Sequence, residues 1–235
     1  MEPKIIDEDL SLLVLDKPSG WVVTKTETVR ENPTVEDWLK DRDYPLSRNT
    51  SLRRGIVHRL DKGTSGVLLV AKTADVLTKL QVMFKKRQIK KEYIALAHGK
   101  IFPQEGEIKA PVGRLPWNRK RFGILPQGKQ SLTSYKVTDY FKNQEGVYTL
   151  VELFPKSGRT HQIRVHLKYF GHPIVSDDFY AGRKVSQKDL TWCPRLFLHA
   201  RAISFIHPIT GKRVRFESEL PGQLEKVIAK LQNVS

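Results

Sequence analysis

Residues 55–72 read GIVHRLDKGTSGVLLVAK. A short apolar stretch leads into His58, Arg59 and Asp61, turn formers follow from Lys62 to Gly66, and the segment closes on the nearly unbroken apolar run GVLLVAK. A run of that length bounded by turn residues reads as a buried strand. The DKGTSG turn invites a simple role for Asp61, because aspartate in such positions commonly bonds its own backbone. Two features pull the other way. The flanking apolar runs set the turn at a sheet edge, and the adjacent Arg59 favours the ionised carboxylate that a nucleophile or base requires. Turn former and catalytic group both remain open on these residues alone.

Working outward, LSLLVLDKP reads as a strand ending at Pro18, followed by a turn at Ser19-Gly20 and a short strand WVV. TVEDWLKD after Asn32-Pro33 has the look of a short helix. Val76, Leu77, Leu80, Met83 and Phe84 recur at helical spacing and predict a helix over about Thr73 to Arg87. KKEYIALAHGK is a strand carrying Tyr93. SLTSYKVTDYF and GVYTLVELFP, joined through KNQEG, predict an antiparallel hairpin. GRTHQIRVHLKYFG predicts a helix with Ile163, Leu167 and Phe170 on one face and Gly171 as its stop. LFLHARAISFIHP is a late strand and QLEKVIAKLQ a terminal amphipathic helix. Strands and helices mix without regular βαβ alternation. The fold class is therefore α+β, with a mixed, mainly antiparallel central sheet and flanking helices and loops. No internal repeat or Gly/Ser linker interrupts the chain, so residues 1–235 are expected to form a single domain.

Charge is the strongest global signal. The 235 residues include 41 Lys and Arg against 25 acids, a formal net charge of +16. Such an excess suits a polyanionic partner, because basic side chains replace the counterions condensed on phosphates. Between Lys109 and Lys136 stand seven basic residues and no acid. Within them WNRKRFG, residues 117–123, brackets Arg119, Lys120 and Arg121 with Trp117 and Phe122, a combination of phosphate contacts with rings that stack on unpaired bases. A second cluster, FKKRQIKK from Phe84 to Lys91, suits a helix C-terminus equally well. No basic amphipathic anchor and no apolar run of bilayer length is present, so nucleic acid is favoured over a membrane. The acid-rich N-terminus lacks a signal layout and a cytoplasmic location is expected. Cys193, the only cysteine, excludes an internal disulfide and reads as a small buried filler.

SGRTHQIRVHL, residues 157–167, is the second chemical constellation. His161 and His166 are five apart, whereas paired ligands on one helix face are four apart, so a metal site is rejected. Arg164 among apolar neighbours needs an acid partner, and Asp61 is one candidate. Asp177-Asp178 reads as a turn. Phosphate-loop, nucleophile-elbow and dinucleotide fingerprints are absent.

HRLD followed by TSG resembles the signature of the RluA family of pseudouridine synthases. Five further blocks agree in order: DKPSGWVV (16–23), KKEYIALAHG (90–99), SGRTHQIRVHL (157–167), GHPIVSDDFY (171–180) and LFLHARAISFIHP (196–208). The resemblance covers about Leu12 to Pro221, with Ser176 where glycine and Ser157 where threonine would be usual. It implies the pseudouridine synthase fold and isomerisation of specific uridines in a tRNA or rRNA stem-loop, with no cofactor and no metal, by an enzyme expected to act as a monomer. Asp61 is implied as the catalytic carboxylate, Arg164 as its ion-pair partner and Tyr93 as the active-site tyrosine. Arg59, His58 and Thr64 are implied to meet substrate, and Ile163 to form the apolar floor. Residues 110–130 become an RNA-gripping hairpin loop through Arg119, Lys120 and Arg121. The LDKPSG block begins by residue 15, so no S4 RNA-binding domain is expected ahead of it. A binding module with a degenerate site and a base-releasing glycosylase are the competing classes.

Overall fold

The computed structural model describes residues 2–25 and 34–234; the Asn32-Pro33 turn signal lies outside them. In chain order its elements are β1 (Lys4–Glu8), β2 (Leu12–Lys17), α1 (Val35–Leu39), β3 (Ser65–Ala71), α2 (Ala74–Lys85), β4 (Lys90–His98), β5 (Glu105–Lys109), β6 (Val112–Leu115), β7 (Asn118–Ile124), β8 (Leu132–Asn143), β9 (Gly146–Pro155), α3 (Gln162–Tyr169), α4 (Arg183–Asp189), β10 (Leu198–Ile206), β11 (Arg213–Glu217), α5 (Gly222–Ala229) and β12 (Gln232–Asn233). They fall into two compact units. The first comprises Met1–Lys91 with Ala200–Glu219, the second Glu92–His199 with Leu220–Ser235. The class is α+β with a mainly antiparallel sheet, as the patterning predicts.

In the first unit, β1 pairs antiparallel with β2, and β2 with β3 in a register that sets Leu13 against Val70 and Leu15 against Leu68. β10 pairs antiparallel with β11. Every residue of β3 is buried, which is why its sequence shows no polar alternation: neither face of the strand meets water. Each such Leu or Val contributes about 1.5–3 kcal/mol relative to an exposed one. Helix α2 starts where Thr73 caps it, the hydroxyl accepting from the Val76 N–H, and it buries Val76, Leu77 and Leu80 along one stripe. Helix α1 is capped in the same way by Thr34. The WVV segment is not a strand; Val22 makes only an isolated bridge to Thr34.

The second unit is built on β4, β9 and β8, antiparallel throughout, with β5 and β12 both pairing to β8. Its main core joins Leu96, Tyr148, Val151 and Leu153 of the sheet to Ile163 and Leu167 of α3 and to Leu224 and Val227 of α5. A separate hairpin, β6–β7, packs through Val112, Phe122 and Ile124 onto Val165, Phe179 and Tyr180. Helix α3 begins at Gln162, later than the GRTH start of the expected helical stretch, because His161 takes a left-handed conformation (φ 56°) that helical geometry excludes. Cys193 is fully buried with its thiol against the Arg195 carbonyl, and burial raises its pKa.

Candidate active site

The Asp61 segment is shaped by two glycines. A Cβ on Gly55 would lie 1.9 Å from the Ala71 carbonyl oxygen, and one on Gly66 would lie 2.1 Å from that of Ala200; both residues also have positive φ. Only glycine lets the chain enter and leave this segment so close to neighbouring backbone. Past Gly55, a single antiparallel bridge joins Ile56 to Val70. The backbone then parts from β3, and a side chain takes over: Nε2 of His58 accepts the Leu69 N–H at 2.9 Å. The ring packs on Phe84 with centroids 5.0 Å apart. Burial, with the nearby Lys91 charge second, lowers its pKa to about 3, so the imidazole is neutral and fit to accept. Burial likewise lowers Lys91 to about 8.

Asp61 itself opens a tight turn, its carbonyl accepting the Thr64 N–H at 3.1 Å. A buried lysine holds that turn. Lys17, 0 % exposed at the end of β2, donates to the carbonyls of Pro18 and Trp21, each at 2.9 Å, and to that of Lys62 at 3.4 Å. The Gly20 N–H also reaches Lys62 O at 2.8 Å, and Ser19 Oγ donates to Gly63 O at 2.9 Å. The 18–21 turn and the 61–64 turn are thereby clamped together. Thr64 is buried, Asp61 partly exposed and Arg59 exposed. His58, Arg59, Asp61 and Thr64 are thus brought onto one braced loop. Of the four, the side-chain contacts of His58 are those of a structural brace.

In the second unit, α3 carries Ile163 and Arg164. Ile163 is buried in the main core. Arg164 forms a two-pronged pair with Asp177, Nε to Oδ2 at 2.8 Å and Nη2 to Oδ1 at 2.7 Å. Both side chains are buried, and the exposed Asp178 lies 3.6 Å from Nη2. Asp177 also accepts the N–H groups of Phe179 and Tyr180 through Oδ1. The acid that sequence assigned to a turn therefore makes the turn and offsets a buried cation at once. Tyr93, on β4 opposite Leu153, is partly buried against the core.

The basic hairpin is joined to this helix. Arg119, Lys120 and Arg121 stand exposed on β7, and Trp117 at the hairpin tip is 77 % exposed. At the root, His166 Nε2 lies 3.2 Å from the Ala110 carbonyl. At the middle, the Tyr180 hydroxyl accepts the Phe122 N–H at 3.1 Å and shares a 2.8 Å hydrogen bond with His161 Nδ1. Phe179 receives two guanidinium groups, Arg121 at 5.7 Å and Arg164 at 5.3 Å from the ring centroid. One aromatic side chain therefore links a candidate RNA-gripping residue to a candidate catalytic one. Gln162 secures the loop ahead of α3: its Nε2 reaches Leu132 O and Thr133 Oγ1, and its Oε1 accepts from Ser157 Oγ and the Arg159 N–H. The sequence reading gave Lys17, Gln162 and Tyr180 no role and Asp177 only a turn. All four sit inside its quoted blocks, but their tasks depend on partners that only the fold brings together.

Among the described residues no group of three or more His, Cys, Asp or Glu is gathered as a metal site would need, and no helix is long and apolar enough to cross a membrane. The family model for RNA pseudouridylate synthase matches residues 11–169. An uncharacterized RNA pseudouridine synthase of Chloroflexus aurantiacus is 38 % identical over 218 residues, covering 93 % of this chain and 66 % of its own length. A ribosomal large subunit pseudouridine synthase D of Pseudomonas aeruginosa is 37 % identical, covering 94 % of this chain and 69 % of its own length. The chain thus spans about two thirds of those relatives. Among solved structures, human RNA pseudouridylate synthase domain containing 1 superposes with a TM-score of 0.76 at 27 % identity, over 99 % of this chain and 89 % of that one.

Proposed function

The chain belongs to the RNA pseudouridylate synthase family, and from that membership we propose that it isomerises specific uridines within structured RNA to pseudouridine, with Asp61 as the catalytic carboxylate. The observation that carries this assignment is the clamp on the Asp61 turn. A buried ammonium, two turn backbones and a hydroxyl converge to hold one partly exposed carboxylate, which is far more than a surface turn needs.

In the proposed reaction the N1–C1′ bond breaks, the base turns over, and C5 bonds to C1′. C5 then gives up its proton and N1 gains one, so no oxidant, metal or cofactor enters the balance. Asp61 either adds to C1′ or removes the C2′ proton. Tyr93 and Arg164 are assigned to the same reaction, Tyr93 to the base and the C5 proton, Arg164 to the ionised state of the carboxylate. Ile163 is assigned to the apolar wall, and Arg59 and Thr64 to the RNA. A paired or stacked uridine must leave its stack to react, and the exposed Trp117 with Arg119, Lys120 and Arg121 supplies grip for that step. The relatives' names support large-subunit ribosomal RNA as the substrate; tRNA is the alternative. Action as a monomer in the cytoplasm completes the proposal.

Transcripts labelled with tritium at uridine C5 test it. Wild-type protein should release label to water without free uracil, and Asp61→Asn should release none. Binding without release would make the chain a binding module; free uracil would make it a glycosylase. Either result overturns the proposed activity.

A further inference from the structure

A second cluster of cations lies in the first unit and includes none of the residues assigned above. Lys40, Arg42, Arg48 and Arg54 line an open pocket of about 640 Å³ together with Asp41 and Asp43. Four cations against two acids leave an excess of two positive charges. Arg42 is preorganised, its guanidinium lying 3.7 Å from the Trp38 ring centroid. Lys40, Arg42 and Arg48 are exposed.

Arg54 differs from the other three. It is only 8 % exposed, and two bonds hold its backbone while a third holds its guanidinium. The Arg54 N–H donates to Asn49 O at 2.8 Å, the Tyr44 hydroxyl donates to Arg54 O at 2.8 Å, and Arg54 Nη1 donates to Ser47 O. Its Nε is buried with no hydrogen-bond partner among the described residues. The residue also sits at φ 51°, a left-handed conformation that costs a non-glycine residue about 1–2 kcal/mol. The Asp37 carboxylate, whose pKa Arg54 helps to lower, offsets part of the guanidinium charge but is itself paired with Lys25, and among the described residues the buried Nε–H still lacks an acceptor that an anion oxygen would supply. The fork of Arg donors matches the oxygens of a phosphate.

We propose that Arg54, with Arg48, Arg42 and Lys40, forms a phosphate-binding site that takes a phosphodiester of the RNA strand. This site rests on the RNA activity proposed above and extends it. The cations around Trp117 and those around Arg54 sit on different units, and the Arg54 site is proposed as a phosphate contact additional to those of the β6–β7 hairpin. Asp41 and Asp43 at the rim disfavour looser polyanion binding and select a group that reaches Arg54.

Fluorescence anisotropy with a large-subunit ribosomal RNA fragment, titrated at several salt concentrations, tests the site. The measurement uses Asp61→Asn protein, so that chemistry does not intervene. The double variant Arg42→Ala, Arg48→Ala changes only exposed side chains. It should bind about 10-fold more weakly at low salt, with the slope of log K against log salt shallower by about 1 to 2, since each phosphate contact accounts for about 0.9. Arg54→Gln should flatten the slope by about 1, as the loss of one contact requires. An unchanged slope in the double variant overturns the site. So does an Arg54→Gln protein that melts earlier but keeps the wild-type slope, which would make Arg54 a core brace. Tritium release by unmutated protein is followed in parallel. Its failure removes the proposed activity, while the slope still decides the phosphate site.

Discussion

Replacing Lys17 by methionine keeps the length and apolar stem of the side chain and removes only its ammonium. That ammonium is fully buried and donates to two carbonyls at 2.9 Å and to a third at 3.4 Å. Hydrogen bonds from a charged donor contribute about 1.5–3 kcal/mol each, so the two short bonds are together about 3–6 kcal/mol. Holding an ammonium out of water costs several kcal/mol, which offsets most of that sum. The net loss of stability is about 0–3 kcal/mol, a fall in Tm of up to about 10 °C for a chain of this size. The local consequence is larger. Without the ammonium, the Asp61 turn is tied to the 18–21 turn by the Gly20 N–H and the Ser19 hydroxyl. A displacement of about 1 Å at a reacting group costs about 100-fold in rate. Lys17→Met should therefore lower kcat for tritium release about 100-fold while RNA affinity stays within about twofold. Circular dichroism and a melting curve show whether the protein remains folded. A variant with wild-type kcat refutes the reasoning. So does one whose activity falls only in step with its folded fraction, because Lys17 would then stabilise the fold without positioning Asp61.

Asp177→Asn removes the two-pronged partner of the buried Arg164 and leaves Asp178 at 3.6 Å, so it should cost up to about 3–5 kcal/mol in urea unfolding; a loss below about 1 kcal/mol would mean that other groups offset the Arg164 charge. Gly66→Ala drives a Cβ to 2.1 Å from the Ala200 carbonyl and should abolish soluble folded protein, which expression and a melting curve read directly. Charge reversal at Arg119, Lys120 and Arg121 should weaken RNA binding and flatten its salt dependence; unchanged binding across salt would remove the hairpin from the interface. His58 has a folded pKa of about 3, below its unfolded value of about 6.5, so the unfolded chain binds the extra proton between those values. Stability from this group is present above pH 6.5 and is lost as pH falls toward 3, by at most about 2 kcal/mol between pH 7 and 5. Unfolding of His58→Leu at the two pH values should show a smaller pH decrement than wild type; an equal decrement would place the titration elsewhere.

Periodicity made most of the fold readable. Strand β3, helix α2, the β8–β9 hairpin and α5 follow directly from apolar spacing, because each buries a stripe or face that its own sequence reveals. Strand β1 was missed for a physical reason: four of its five residues are exposed, so it carries no burial signal and owes its place to pairing with β2. The late start of α3 was hidden as well. A left-handed His161 is fixed by its bond to Tyr180, nineteen residues away, and no local propensity reports such a bond.

The candidate site divides along the same line. The turn at Asp61 was readable from DKGTSG between apolar runs, whereas the catalytic role proposed for its carboxylate came from the family resemblance alone. The neutrality of His58 was not readable, since it arises from burial against Phe84 and from Lys91. Lys17 was the least legible, for a lysine beside a proline and near a chain turn is ordinarily solvated; its meaning comes from carbonyls of residues 18, 21 and 62 pointing at one place. That difference has a chemical consequence. A carboxylate that must meet one atom of an extruded base needs a fixed backbone more than it needs a particular neighbour. A cation buried among carbonyls fixes backbone without placing a second charged side chain where substrate must enter. The exposed cations answer the opposite requirement. Arg119, Lys120, Arg121, Arg42 and Arg48, proposed to meet phosphates of varied geometry, are long side chains exposed at the surface. Rigidity at Asp61 and exposure at the basic clusters are thus two answers to two tasks. Substitutions at Lys17 should accordingly appear in kcat, and those at the basic clusters in the salt dependence of binding.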